Sequence, residues 1–233
     1  MLVIVLLLAA EVAPAPDNWK DMAQELWKAR DSQNRAALQR MAGDLASSAQ
    51  KRGGDPEAQY RAALGESVIA EVATEVHDKS QARAAADAGM KLAERAVSLK
   101  PDRAEYHRIF GTLCGQNAAA TGGLGALKYG RCALDEVNRA LEIDPKSALN
   151  HMSRGVGNYY LPQALGGGVE LAVKDFQDAI ALDPKSAEAH LWLGIALRRL
   201  NRNPEAFKEF ELAVKLNPAR VWAKQQLEKT PQN

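Results

Sequence analysis

Cysteine is scarce in this 233-residue chain, and neither of its two copies belongs to a metal-binding or redox motif. Cys114 and Cys132 lie outside any CxxC or CxxCH pattern, so zinc-finger, thioredoxin-like and haem-attachment sites have no support. We interpret the two cysteines as small buried residues in helix packing. A disulfide between them is the alternative if the chain is exported, because such bonds persist in oxidising compartments.

The chain also lacks an excess of charge of either sign. It has 30 Lys and Arg against 29 Asp and Glu, a formal net charge of +1, and the two signs are well mixed along the sequence. Proteins that bind nucleic acid or an anionic membrane surface usually carry a basic excess or a run of like charges. The composition therefore gives no case for a nucleic-acid partner.

Aromatic residues make up only 6% of the chain, whereas alanine is abundant throughout. This bias favours helices, because alanine has the highest intrinsic helix propensity. No stretch alternates apolar and polar residues with a period of two over a convincing length, so we expect no β-sheet. The sequence predicts an all-α protein.

Long apolar runs are missing except at the N-terminus, where Leu2–Ala10 is uninterrupted. A helix of this length rises roughly 14 Å against about 30 Å of hydrocarbon, so it is too short to cross a membrane. It has the length of a signal-peptide core, and Ala13-Pro14-Ala15 offers a small-x-small cleavage motif, although no Lys or Arg precedes the run. We predict a signal peptide over residues 1–15 and an exported, periplasmic or secreted protein. An uncleaved anchor, with membrane contact through this segment only, and a mis-started reading frame are the alternatives.

The sequence after residue 100 repeats itself. The segment DPKSA occurs twice, each time followed by a histidine and then by a glycine four residues further on. The same layout is present upstream in VSLKPDRAEYHRIFG and begins again downstream in VKLNPARVW. Prolines recur at separations of 44, 39 and 34 residues, as Pro101, Pro145, Pro184 and Pro218. A recurring spacing of this length predicts a repeat architecture.

The last two repeats resemble the tetratricopeptide repeat family, whose pattern is a large residue, then Leu-Gly, then Ala, Phe, Ala and Pro at fixed spacing. The final unit carries His190, Leu193, Gly194, Ala206, Phe210, Ala213 and Pro218, and the unit before it His151, Gly155, Ala172, Phe176, Ala179 and Pro184. The resemblance weakens towards the N-terminus. It implies an α-solenoid of helix-turn-helix repeats with helical caps, in which stacked repeats cover one another's apolar faces.

The resemblance also implies a division of the chain. We predict N-terminal capping helices over 16–56, three to four repeats over 57–218 and a C-terminal capping helix over 219–233. Two repeats are longer than the 34-residue unit, and glycine clusters at 120–130 and 161–171 fall between the two helices of a repeat. Because neither cluster has the spacing of a phosphate-binding loop, we assign both to lengthened turns, as in a bacterial-type member of the family.

Three of the four histidines, His107, His151 and His190, occupy the same place in successive repeats. The family pattern implies a large packed residue there. Successive repeats stand on the order of 10 Å apart, whereas zinc holds nitrogen ligands at about 2.0–2.1 Å, so these side chains do not converge on one ion. We therefore predict no metal, no cofactor and no catalytic residue. An enzyme that uses these histidines with Cys114 is an alternative from another class.

The resemblance further implies a concave surface, lined by the first helix of each repeat, on which members of the family bind their ligands. Eight candidate groove residues lie beside the buried stripe of these helices: Arg108, Gln116, Met152, Tyr159, Tyr160, Leu191, Arg198 and Arg199. Tyrosine, methionine and arginine are enriched at binding surfaces. We predict a non-enzymatic scaffold that binds a protein or peptide. A periplasmic ligand-binding or transporter-accessory protein on the same repeats is the alternative, which an enclosed pocket on the concave side would favour.

Overall fold

The computed structural model describes residues 18–121 and 123–231, which form eleven α-helices and one 3-10 turn and contain no β-strand. The helices are α1 Trp19–Asp31, α2 Arg35–Lys51, α3 Pro56–Glu75, α4 Lys79–Leu99, α5 Ala104–Thr121, α6 Gly123–Ile143, α7 Ala148–Tyr160, α8 Val169–Leu182, α9 Ala187–Arg199, α10 Asn203–Leu216 and α11 Val221–Glu228. The predicted all-α fold is confirmed for this part of the chain. The predicted signal peptide at 1–15 lies outside it. No described helix combines the length and the apolarity that a membrane span requires.

The helices pair along the chain and stack as a solenoid. Consecutive helices pack on each other in five pairs, from α1 with α2 to α9 with α10, and α11 follows the last pair. The odd-numbered helices from α1 to α9 also contact one another. They form the inner, concave layer, and the even-numbered helices form the outer layer. This is the predicted α-solenoid.

The repeated DPKS segment explains why one helix ends and the next begins there. In its second copy, the Asp183 carboxylate accepts a hydrogen bond from the backbone N–H of Lys185 at 3.1 Å, which fixes the turn. The Ser186 side chain then accepts a backbone N–H from the first turn of α9 at 3.3 Å and caps that helix. The first copy, at 144–147, makes the same two contacts before α7.

The repeat glycine marks the closest approach of the two helices in a pair. A Cβ atom placed on Gly194 would lie 2.7 Å from a ring carbon of Phe210, which is closer than real Cβ contacts. Gly155 meets Phe176 in the same way, at 2.6 Å. The missing side chain therefore admits the phenylalanine of the second helix.

The prediction of two lengthened turns is wrong for the first glycine cluster and right for the second. Most of the cluster at 120–130 lies in α6, which begins at Gly123, where a φ of 55° lets the chain reverse. The extra residues lengthen α5 and α6 to 18 and 21 residues, against 13 and 14 in α7 and α8. The alanines on either side of this glycine cluster favour helix over turn. The cluster at 161–171 does form a turn, around the 3-10 segment Gln163–Leu165.

Cys114 and Cys132 form a disulfide between α5 and α6, with their Cα atoms 5.9 Å apart. The interpretation of two unlinked thiols is therefore wrong, and the alternative is right. The cause is the pairing of the two long helices, which places the wholly buried Cys114 beside the facing side of α6.

Candidate functional site

The repeated histidines link the two helices of a pair through hydrogen bonds. The Nδ1 atom of His190 lies 2.6 Å from a Glu209 carboxylate oxygen on α10, and its Nε2 atom lies 3.4 Å from the carbonyl oxygen of Pro184. His107 pairs with Glu136 on α6 in the same way, at 2.7 Å. The hydrogen bond to Glu209 raises the pKa of His190, although burial opposes it. These imidazoles face the interior of their own helix pairs and do not meet.

His151 departs from this pattern. Its Nε2 atom lies 2.9 Å from the Pro145 carbonyl oxygen, but its buried Nδ1 atom has no hydrogen-bond partner and lies 4.0 Å from Asp178. Asp175, which occupies the place of Glu209 in the next repeat, instead accepts two hydrogen bonds from Arg154, at 2.9 and 2.6 Å. The ligand atoms of His151, Asp175 and Asp178 lie within 4.8 Å of one another, as a metal site would require. However, the Arg154 guanidinium already neutralises Asp175 and would repel a metal ion.

The most heavily charged part of the concave layer surrounds one arginine. Arg220 directly precedes α11 and is fully buried. Its guanidinium donates to Glu71 at 2.7 Å, to Glu75 at 3.1 Å and to Glu188 at 2.8 Å. The first two carboxylates belong to the last turns of α3, and the third to the first turn of α9. A side chain near the end of the chain thus sits among acids that lie up to 149 positions earlier.

The end of α1 completes this ion cluster. Arg30 approaches Glu188 at 3.1 Å, while Asp31 accepts a hydrogen bond from Asn217 at 2.8 Å across 186 positions. The ion cluster therefore contains two guanidinium groups and four carboxylates, namely Arg30, Arg220, Asp31, Glu71, Glu75 and Glu188. Burial raises the pKa of Glu71 to about 7 against the opposing effect of the two arginines. Through these contacts the solenoid closes, because its first helices meet its last ones.

Two predicted groove residues are taken up by contacts within the protein. Leu191 is fully buried in the core that α9 shares with its neighbours. Arg198 is covered by α11: it donates to the Gln226 carbonyl oxygen at 3.2 Å and to the Thr230 hydroxyl at 3.0 Å, and it lies 5.3 Å from the centre of the Phe210 ring. These contacts hold the C-terminal helix onto the last repeat.

Three further candidates lie on the helices of the concave layer, and two of them bridge neighbouring helices. Gln116 donates to the Ser67 carbonyl oxygen at 3.0 Å and so links α5 to α3. Arg199 donates to the Tyr159 carbonyl oxygen at 3.2 Å and lies 4.7 Å above the Tyr159 ring, which links α9 to α7. Arg199 is nevertheless exposed, and Arg108 on α5 is half-buried.

An apolar strip runs between α7 and α9 on the concave side. Leu149 and Tyr160 are 52% and 43% exposed and are the two exposed members of this strip. The half-buried Met152 and Val156 lie on the same helix, and the Trp192 ring is centred 6.2 Å from that of Tyr160. We define these five residues as the α7–α9 groove. It contains the predicted Met152 and Tyr160 and is bordered by Tyr159 and Arg199.

Sequence reasoning missed Trp192 and the ion cluster. Trp192 lies four residues after Glu188, so the two side chains share one face of α9. This spacing is the signal that predicts Trp192, and not the buried Leu191, on the concave side. Glu71 and Glu75 also share one face of a helix at that spacing. Nothing in the sequence, however, connects them with an arginine so far along the chain.

Two families of known proteins match this sequence. The family described as "Regulator of microtubule dynamics protein 1-3" matches residues 20–164, and the one described as "Tetratricopeptide repeat" matches residues 166–221. The bovine (Bos taurus) regulator of microtubule dynamics protein 3 is 26% identical over 173 residues, which cover 67% of this chain and 36% of that protein. The chain thus spans about a third of the length of this relative.

Solved structures share the fold. A thermophilic tetratricopeptide-repeat protein from Thermus thermophilus is 18% identical and superposes with a TM-score of 0.59 over 90% of this chain and 96% of its own. The HusA haemophore from Porphyromonas gingivalis is 17% identical, with a TM-score of 0.62 over 80% of this chain and 96% of its own. At such identities the similarity concerns the fold alone.

Proposed function

The chain belongs to the regulator of microtubule dynamics protein 1-3 family, and from this premise we propose that it is a non-enzymatic scaffold that binds a protein segment in its α7–α9 groove. Tetratricopeptide repeats, which it also carries, typically bind proteins. The observation that carries the proposal is the exposure of Leu149 and Tyr160 on the concave side, because large apolar side chains there gain free energy when a partner covers them.

Capture experiments test this proposal. We expect the chain, immobilised as residues 16–233, to retain specific proteins that the Leu149→Ala/Tyr160→Ala variant does not retain. The matched control is Leu171→Ala/Leu182→Ala, which removes two equally exposed leucines from α8 in the outer layer. If the two variants lose the same proteins, or neither loses any, the α7–α9 groove is not the binding site.

We further propose that the partner takes part in microtubule regulation. The support is the family membership together with the name of the bovine relative, of which this chain corresponds to about a third. Co-sedimentation with polymerised microtubules, with and without a cell extract, tests it. A chain that stays in the supernatant in both cases has no such partner.

Export is a separate proposal, supported by the apolar run Leu2–Ala10 and by the disulfide, since such bonds persist in oxidising compartments. It competes with direct microtubule contact, which occurs in the cytosol. The two proposals are separated by the N-terminal sequence and the intact mass of the protein from its native cells. An N-terminus at residue 16 and a mass that reduction raises by two hydrogens support export, whereas an intact N-terminus with free thiols contradicts it.

A further inference from the structure

The α7–α9 groove has charges of opposite sign at its two ends. Glu188 stands in the first turn of α9, and Arg199 is the last residue of that helix. Between these ends lie Trp192 from α9 and the half-buried Met152 and Val156 from α7, while the exposed Leu149 and Tyr160 are at the same repeat positions as Glu188 and Arg199. The groove is thus acidic at one end, apolar in the middle and basic at the other end.

The acidic end of the groove has more carboxylates than guanidinium groups. Glu188 belongs to the ion cluster, in which two guanidinium groups face four carboxylates. Glu71 and Glu188 are the most exposed of the four, with 24% and 16% of their side chains accessible. Even with Glu71 protonated, the three remaining carboxylates outnumber the two guanidinium groups, so a cationic side chain entering this end of the groove would meet a net negative potential.

The basic end is already oriented for a ligand. The Arg199 side chain is held by the Tyr159 carbonyl oxygen and lies over the Tyr159 ring, yet the residue stays exposed. Only one of its N–H groups is used in that hydrogen bond. The remaining donors of a guanidinium suit the planar, two-oxygen geometry of a carboxylate.

The spacing of the two ends sets the length of the ligand. Eleven residue steps separate Glu188 from Arg199, and at about 1.5 Å each they span roughly 16 Å of helix. An extended segment advances about 3.3 Å per residue, so about five residues cover this distance.

From these observations we propose that the α7–α9 groove selects an extended protein segment that carries a basic side chain and an acidic side chain about five residues apart, with apolar side chains between them. This inference rests on the proposed function, and it adds the chemistry of the partner. The basic side chain lies against Glu188 and Glu71, the acidic one against Arg199, and the apolar ones on Trp192.

Three synthetic peptides with blocked ends test the charge pattern by fluorescence anisotropy. They are Lys-Leu-Ser-Leu-Ser-Glu, the same peptide with Lys at both ends, and the same peptide with Glu at both ends. We expect the wild-type chain to bind the first about fivefold more tightly than either of the others, which is the effect of about 1 kcal/mol for one partly exposed ion pair. Because an extended peptide can lie in either direction, a simple swap of its ends is not a control.

Reversal of Arg199 supplies the decisive comparison. In Arg199→Glu both ends of the groove are acidic, so we expect the preference to move to the peptide with two lysines. The control Lys174→Glu makes the same change at an exposed position on α8 and should leave the original preference intact. Equal binding of all three peptides, absence of binding, or an unchanged preference in Arg199→Glu overturns the inference. The proposed function fails separately, if protein capture does not depend on Leu149 and Tyr160.

Discussion

Substitution of Arg220 should destabilise the protein strongly, because its side chain is wholly buried and surrounded by carboxylates. In Arg220→Met, Glu71, Glu75 and Glu188 would remain in place without their main counter-ion. Breaking a buried ion cluster in this way typically costs about 3–5 kcal/mol. We expect a loss of this size in the free energy of unfolding, measured by urea denaturation at pH 7.

An exposed ion pair provides the matched control for Arg220. Arg139 donates to Glu142 at 2.8 Å on the surface of α6, and more than half of both side chains is accessible. We expect Arg139→Met to change the free energy of unfolding by less than about 1 kcal/mol. A similar loss in the two variants would mean that Arg220 contributes packing only.

The His190–Glu209 pair should make stability depend on pH in a defined direction. Because the pKa of His190 is raised, chiefly by its hydrogen bond to Glu209, the stabilisation is fully present below pH 6.5 and is lost as the pH rises through the raised value. We expect Glu209→Gln to lower the free energy of unfolding by about 1.5 kcal/mol at pH 6 and by less at pH 8.5. The exposed Glu211→Gln should show no such difference between the two pH values. An equal loss for Glu209→Gln at both pH values would contradict this account.

At the scale of single residues, the sequence predicts where a repeated residue lies in its helix better than it predicts which side chain that residue contacts. The repeated place of His107 and His190 follows from the pattern, but their acids come from the second helix at different distances along the chain, 29 and 19 residues. Pairings of that kind need the length of each helix, which the repeat pattern alone does not supply. Leu191 was predicted as a groove residue but is covered by the core, because the concave face of α9 follows Glu188 and Trp192 at i, i+4 spacing.

At the scale of elements, the contact between the two helices of a repeat can be tested at its glycine. A methyl group on Gly194 would overlap the Phe210 ring, and overpacking of this kind costs about 1–3 kcal/mol. Gly43 is an exposed residue of α2 and has no neighbour within 4 Å of the site of its Cβ atom. There the same change should stabilise the helix by about 0.5–1 kcal/mol.

We therefore expect Gly194→Ala and Gly43→Ala to change the free energy of unfolding in opposite directions. Both replace a helical glycine by alanine, so the difference isolates the close approach of α9 and α10 from the general effect of glycine on a helix. If Gly194→Ala is as stable as the wild type, Phe210 can move aside and the glycine is not required for packing.

The boundaries of elements were predictable where the DPKS segment occurs and not elsewhere. Its aspartate turn and serine cap fix the starts of α7 at Ala148 and of α9 at Ala187. In α5 and α6 the glycines at 120–130 suggested a turn, yet neighbouring alanines continue the helices around them. The disulfide was only the alternative prediction for the same reason, because it depends on two long helices lying side by side.

At the scale of the whole molecule, the closure of the solenoid decides how much concave surface a partner can reach. The fold and the stacking of helix pairs follow from the repeat, but the contact of α1 and α3 with α9 and α11 depends on small rotations that add up over all the repeats. Sequence reasoning placed candidate residues on α5, α7 and α9 as parts of one open groove. The ion cluster occupies one end of the concave surface, so the apolar part of that surface is the α7–α9 groove.

The closure itself should respond to pH through Glu71. An acid whose pKa is raised from 4.5 to about 7 on folding keeps its proton in the folded state while the unfolded chain has lost it. The folded state therefore loses stability as the pH rises from 4.5 to about 7, by at most about 1.4 kcal/mol per pH unit. The glutamine side chain of the Glu71→Gln variant cannot lose a proton, so the free energy of unfolding of this variant should rise by about 1–3 kcal/mol relative to the wild type between pH 5 and 8.

Urea denaturation at several pH values measures this difference. Glu142→Gln on the exposed face of α6 is the control, and its difference from the wild type should not change with pH. A constant or falling difference for Glu71→Gln would mean that the arginines of the ion cluster keep Glu71 ionised and that the closure does not sense pH.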